Sequence, residues 1–509
     1  MGRRRLHVGG PAAQVHDHTV NARRLVWLVV TVAILAAGCA SATASPSPTA
    51  GAPSPSPTAA PSAATTAAVA SSTPSEIPAP SASAAASASP STLDPDDWPV
   101  YHLDAARSGN RAGFPKVTGP LAVSWSATLD GAVYAEPLVV HSRLIVATEG
   151  DSVYSLDPSS GTVVWKSNLG TPVSQSTLPC GNIDPLGITG TPAYDSTTNT
   201  VFAVAEVAGP RHVLYAVDPD DGTVRWSRGI DLPGDDPRTH QQRPALAVAN
   251  GYVYVGLGGL AGDCGQYVGE LVGVPVTGSG DTISYRVPVK REGAIWAAGG
   301  PVVDPNGNLY VSTGNGSSTT TFDGSDSVVE LSPSLQQLSV FAPSVWASDN
   351  ARDRDLGSLS PALTPNGYVF IDGKNGTGYV LKQGDLGGIG GQVSKASICT
   401  GFGGTALEGN DVFFSCTTGT VRVRIGSDGS LKVVWKSGAG VNGTPVVGGG
   451  AVWTANELTG VVYVLDEATG KTLASLSLGG ELPHFLSPAL WRGLAFLGTM
   501  KGVAALTAS

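Results

Sequence analysis

From Pro137 to the C-terminus, short apolar runs alternate with polar positions at a period of two, break at Gly, Pro or Asp, and resume, eight times in all. One copy reads Glu136-Pro137-Leu138-Val139-Val140, then Val153-Tyr154-Ser155-Leu156-Asp157 and Gly161-Thr162-Val163-Val164-Trp165. The next reads Thr191-Pro192-Ala193-Tyr194, then Leu214-Tyr215-Ala216-Val217-Asp218 and Gly222-Thr223-Val224-Arg225-Trp226. A period of two marks strands with one buried face. In both copies Gly follows Asp by four residues and Trp follows it by eight. A repeated sheet of this size cannot bury its faces alone and must stack on its neighbours.

Copies begin near Pro137, Pro192, Pro244, Pro301, Pro361, Ala406, Pro445 and Pro488, a step of about 50 residues, the size of a four-stranded propeller blade. Strands are predicted at 143–147, 153–156 and 162–165 in the first copy, 252–256 in the third and Leu309–Ser312 in the fourth. The last copy supplies strands at 494–497 and 503–506 and ends without a Trp-bearing one, whereas residues 121–126, carrying Trp125, precede the first copy. Joining the two completes an eighth blade and removes the free sheet edge. The expected fold is an all-β, eight-bladed propeller. The recurrent residues have scaffold roles: Asp accepts backbone hydrogen bonds in a turn, Gly supplies positive φ, and Trp packs a large face between blades.

Composition agrees, with 66 Gly, 37 Pro and only 14% charged residues, a balance that suits many short strands and turns. Three segments are expected: a lipoprotein-type signal at 1–39, a stalk at 40–93 and the propeller at 94–509. Arg3, Arg4, Arg5, Arg23 and Arg24 precede an apolar run at 25–37 that ends in Leu35-Ala36-Ala37-Gly38-Cys39. This ending resembles a bacterial lipobox, which implies lipidation of Cys39 and tethering to a membrane outside the cytoplasm. An ordinary cleaved secretory signal and an uncleaved anchor are the alternatives. The basic region is long for such a leader, and initiation at Val20 would give one of usual length. Residues 40–93 are almost entirely Ala, Ser, Pro and Thr with Glu76 as the sole charge; such a segment has nothing to bury, and as a flexible coil it spans about 40 Å.

Without residues 1–39 the chain carries 25 basic and 39 acidic side chains, so no nucleic-acid partner is implied. The remaining cysteines are Cys180, Cys264, Cys399 and Cys416. An even count in an exported chain suggests disulfides; Cys180 with Cys264 in loops of neighbouring repeats, and Cys399 with Cys416 within one repeat, is the favoured pairing, with buried free thiols as the alternative. His102, His141, His212, His240 and His484 are scattered without metal spacing. No zinc, haem, phosphate-loop or nucleophile-elbow motif is present.

The Asp-x-x-x-Gly-x-x-x-Trp units, together with Trp98 to Gly109, resemble the pyrroloquinoline quinone (PQQ) repeat of the quinoprotein alcohol dehydrogenase-like propellers. That superfamily includes dehydrogenases and non-enzymatic lipoprotein scaffolds. In the dehydrogenases a Glu and an Asn hold Ca²⁺ beside the quinone and an Asp is the general base. The resemblance places the Glu at Glu206, the Asn at Asn315 and the base at Asp353 or Asp355, with Trp296 as a stacking floor. Two departures stand against this: no adjacent cysteine pair exists, and a whole repeat separates Glu206 from Asn315. The departures favour a binding or scaffold protein that engages a protein, glycan or small ligand and needs no assigned cofactor. A PQQ- and Ca²⁺-dependent dehydrogenase acting on an alcohol or sugar is the alternative.

Overall fold

The computed structural model describes residues 93–508. The expected signal segment and stalk, with Cys39, lie outside the described residues. Eight antiparallel sheets follow one another along the chain. Blade 1 comprises Leu138–Val140, Arg143–Thr148, Ser152–Leu156 and Val163–Asn168, and its first three strands are buried almost throughout while the fourth is half exposed. The inner strands of blades 2 to 8 are Ala193–Asp195, Ala247–Ala249, Val302–Val303, Ala362–Thr364, Gly401–Glu408, Val446–Gly448 and Ala489–Trp491. Seven of the eight thus start within three residues of the Pro that opens the repeat. Blade 6 has no such Pro; its inner strand begins at Gly401 and passes a register shift between Phe402 and Thr405, where Gly403 adopts φ +85°, a conformation Gly enters without penalty.

Ring closure follows the expectation. Leu121–Thr128 pairs antiparallel with Gly502–Ala508, from Leu121 opposite Ala508 to Thr128 opposite Gly502, and becomes the outer strand of blade 8. The Trp on an outer strand docks on the next blade. A Cβ placed on Gly161 would lie 2.4 Å from the Trp125 ring, and Gly222, Gly278 and Gly470 stand in the same relation to Trp165, Trp226 and Trp435. Trp125, Trp165 and Trp435 also donate their indole N–H to the carbonyls of Pro158, Pro219 and Glu467. The repeated Gly is therefore required twice, for its positive φ and for the space the neighbouring indole fills.

The channel along the ring axis is filled by the chain itself. Residues 98–111 cross it and bond to the inner strands: Trp98 bridges Val139 of blade 1, Tyr194 of blade 2 donates to Pro99, Val303 of blade 4 to Ala105, Leu407 of blade 6 to Ser108 and Val447 of blade 7 to Gly109. Arg107, 2% exposed, donates to the carbonyls of Tyr101, Leu246 and Pro301. His102 is fully buried, with one ring nitrogen 2.8 Å from the Thr405 carbonyl and the other 2.9 Å from Ser487 Oγ. Burial holds its pKa down, to about 3, so the ring is neutral. His102, Leu103 and Arg107 all have positive φ, a strained state for non-Gly residues that these contacts hold in place.

Two substitutions test this architecture. Trp125→Ala should lower stability by about 2 kcal/mol, the scale for truncating a partly buried indole; an unchanged melting temperature would remove the closing strand from the cooperative unit. Arg107→Ala should cost about 3 kcal/mol or more, because three buried carbonyls lose a charged donor; urea denaturation reads both.

Candidate functional site

At one mouth of the filled channel lies a cavity of about 420 Å³. The loops that precede inner strands and the turns that follow second strands supply its walls. Gln241 and Arg243 come from the approach to blade 3 and Trp296 from the approach to blade 4. Asn315 follows Leu309–Ser312, Lys374 follows Tyr368–Ile371, and Phe402 and Phe485 come from blades 6 and 8. Tyr101 of the channel segment underlies a smaller cavity beneath Arg243 and Phe485. The disulfide Cys180–Cys264 joins the two loops that carry Asn182 and residues 260–263 of the rim, and Cys399–Cys416 closes within blade 6; both favoured pairings are present.

Four of the five residues singled out from the sequence meet in this cavity. Asp355 is 4% exposed; its Oδ1 accepts the Asn315 N–H at 2.7 Å and its Oδ2 lies 2.7 Å from Lys374 Nζ. Asp353, largely exposed, pairs with the same ammonium at 2.8 Å. Lys374 Nζ also stands 5.6 Å above the Trp296 ring. Burial raises the Asp355 pKa against the pull of Lys374, while Asp355 and Asp353 together raise that of Lys374 against its own burial. Gly314 permits the close approach, since a Cβ there would sit 3.1 Å from Asp355 Oδ1.

Glu206 is the residue that stays out. At the end of Thr200–Val207, it turns behind the wall: Oε1 accepts the Gln242 N–H at 2.7 Å and Oε2 lies 3.5 Å from His212 Nε2. His212 also holds Asp231 at 2.6 Å, and against the burial that would lower it, Glu206 and Asp231 raise its pKa to about 10. The sequence expectation that Glu206 and Asn315 jointly hold a metal is therefore not met by these side-chain positions.

Sequence reasoning missed the cations. Arg243 lies in the segment Gln241-Gln242-Arg243-Pro244, and its guanidinium sits 5.7 Å over Phe485. Phe485 stacks on Phe402 at 13° and 5.6 Å, and both lean on Trp296. Among the described residues no carboxylate comes within ion-pair distance of Arg243, although Glu149, Glu206 and Glu457 attract it from further off. Lys374 could have been found by analogy: Asp372-Gly373-Lys374 occupies in blade 5 the turn that Thr313-Gly314-Asn315 occupies in blade 4.

The eight-bladed ring is a fold shared with solved quinohemoprotein alcohol dehydrogenases. The family described as outer membrane protein assembly factor BamB matches residues 122–347. A polyvinylalcohol dehydrogenase of a Pseudomonas species is 24% identical over 259 residues, 47% of this chain and 39% of that protein, so the match spans well under half of the relative. Quinohemoprotein alcohol dehydrogenase of Comamonas testosteroni superposes with a TM-score of 0.63 at 16% identity, over 81% of this chain and 80% of that one. BamB of Moraxella catarrhalis superposes at 0.54 and 14%, over 76% of this chain and all of its own. Likeness of this degree gives the propeller its architecture and leaves its chemistry to the cavity.

The two groups those enzymes imply fare differently against the residues present. A planar, multiply anionic quinone matches the aromatic wall and the guanidinium of Arg243, whereas the ammonium of Lys374 is already paired with Asp353 and Asp355. A calcium ion needs about six to eight oxygen ligands; Asn315 faces the cavity, but both Asp355 oxygens and both Glu206 oxygens are already engaged. The calcium set does not assemble from these positions.

Behind Arg243 lies a layer of buried acids. Burial raises the pKa of Glu149 to about 8 and that of Asp151 to about 8; Asp151 is fully buried and neither of its oxygens has a hydrogen-bond partner. The folded state then binds protons that the unfolded chain releases between pH about 4 and about 8, so stability is greatest below that window and falls as pH rises through it. Asp151→Asn should flatten the fall by up to about 1.4 kcal/mol per pH unit. Urea midpoints at pH 5 and 8.5 that shift equally in both proteins would contradict this.

Proposed function

We propose that the protein is an extracytoplasmic propeller, tethered by a lipidated Cys39 through the stalk at 40–93, that binds a planar anionic small molecule of the PQQ class at the channel mouth. One observation carries the reading: Arg243 faces an aromatic cavity with its guanidinium over Phe485 and, among the described residues, no carboxylate in ion-pair distance, while Lys374 stands across Trp296. Arg243 is half-buried and its guanidinium reaches only the Gln241 amide oxygen among the described residues, at 3.5 Å; partial desolvation of an uncompensated charge is costly, and an anionic ligand offsets that cost. Trp296 and the Phe402–Phe485 stack supply flat apolar surface for a fused ring system. The engaged Glu206 supports binding over calcium-assisted catalysis.

A second reading has its own support. Asp353 and Asp355 beside Lys374 in the same cavity suit a proton acceptor for an alcohol, and one relative is named a polyvinylalcohol dehydrogenase. A bound quinone would supply a two-electron acceptor; Asn315 and Lys374 would orient Asp355 toward the substrate hydroxyl, and the Cys180–Cys264 rim would limit access of water.

Calorimetric titration of purified protein with PQQ, with and without Ca²⁺, tests both. Stoichiometric binding without Ca²⁺ is expected, weakened about tenfold or more by Arg243→Ala, the worth of a charge-assisted hydrogen bond. Absence of binding overturns the ligand assignment. Binding accompanied by Ca²⁺-dependent dye reduction with simple alcohols or polyvinyl alcohol, abolished by Asp355→Asn, transfers the protein to the dehydrogenase reading.

A further inference from the structure

A second cluster lies behind the same wall and belongs to neither reading. Asp235 is in the loop after blade 2, His240 is paired through His240–Gln241 to Gly258 and Gly259 of blade 3, and Glu270 opens the third strand of blade 3, opposite Leu257 and Arg286. One ligand atom from each of the three lies within 4.8 Å of the others. Arg286 reaches in from the half-exposed edge and takes one oxygen of each acid, Asp235 Oδ1 and Glu270 Oε1. The remaining oxygens, Asp235 Oδ2 and Glu270 Oε2, are buried without any hydrogen-bond partner. Glu270 itself is 1% exposed.

That leftover pair is what points to a ligand. Two acids set side by side in a buried space repel when both are ionised, and burial removes the water that would otherwise screen them. The imidazole adds a third donor. His240 Nδ1 is 3.4 Å from the Asp236 carbonyl and Nε2 is 3.2 Å from the Val268 carbonyl. A neutral ring carries a single N–H, so only one of these contacts is a hydrogen bond and the other nitrogen presents a lone pair. The ring packs edge-on to Tyr267, which fixes its plane.

We propose that Asp235, His240 and Glu270 bind a divalent first-row transition metal, with Zn²⁺ the best match to one imidazole and two carboxylates. The ion takes Asp235 Oδ2, Glu270 Oε2 and the lone-pair nitrogen of His240, and water completes the shell. Arg286 keeps the outer oxygens and orients both acids, as ligand-supporting groups do in metal sites. The site pins the approach to blade 3, and with it Gln241 and Arg243, to the blade. It is independent of the ligand proposed for the channel mouth.

The test uses the full exported protein, stripped with chelator and free of quinone. Zn²⁺ alone is added, and bound metal is counted by atomic emission after dialysis. One Zn²⁺ per chain at micromolar free metal is expected, with a rise in melting temperature. Co²⁺ in its place should give visible d–d bands that shift in His240→Gln. Glu270→Gln should reduce affinity at least about tenfold. Asp235→Asn, at a partly exposed loop position, provides the same readout should the Glu270 variant fail to fold. Asp157→Asn, in an exposed turn of blade 1, serves as the control and keeps the metal. Failure of the wild type to take up Zn²⁺ or Co²⁺ overturns the proposal and leaves a proton shared between the two acids as the occupant. Uptake that survives both acid variants overturns it as well.

Discussion

Eight sheets arranged in a ring turn eight inner edges toward a common axis, and each edge carries backbone groups that need partners away from water. The chain meets this constraint with its own residues 98–111, which cross the channel and bond to inner strands around it. Arg107 concentrates the solution: a single guanidinium serves three carbonyls drawn from the segment itself and from blades 3 and 4. The price of the arrangement is three non-Gly residues held at positive φ. With the axis filled, the cavity lies at the mouth, and Tyr101 of the same segment lines the smaller cavity beside it.

Outward from the axis, the ring is held by a repeated contact of Trp on Gly. The indole of one blade lies on the turn of the next and donates to its carbonyl, so each docking couples two blades and the last couples the two ends of the folded chain. This is why the Asp, Gly and Trp of the repeat could be read correctly as scaffold. Their spacing reports a local turn, and the turn is the surface the neighbouring indole needs. Trp125 was legible for the same reason, as a docking residue lacking three strands beside it. Blade 6 was less legible because it begins without Pro and bends at Gly403.

The site was legible in part. Asn315, Asp353, Asp355 and Trp296 were marked by resemblance, and ring geometry brings them together although they come from separate turns. Glu206 was marked by the same resemblance and lies one layer back, because the Gln242 N–H and His212 satisfy it first. Arg243 and Lys374 went unread. A lone cation in a loop carries no period, and its meaning depends on which carboxylates the fold brings within reach. For Lys374 the fold brings two, and for Arg243 none. The cluster of Asp235, His240 and Glu270 was illegible for a related reason, since a loop, an approach segment and a strand contribute one residue each.

The central claim is that the channel mouth takes a flat anion at Arg243 against an aromatic wall. A crystal structure of the protein grown with saturating PQQ tests it most directly. The ligand should lie against Trp296, with a carboxylate on Arg243 and with Glu206 still bonded to Gln242. A quinone found elsewhere on the propeller, or a cavity that stays filled with water alone, would contradict it.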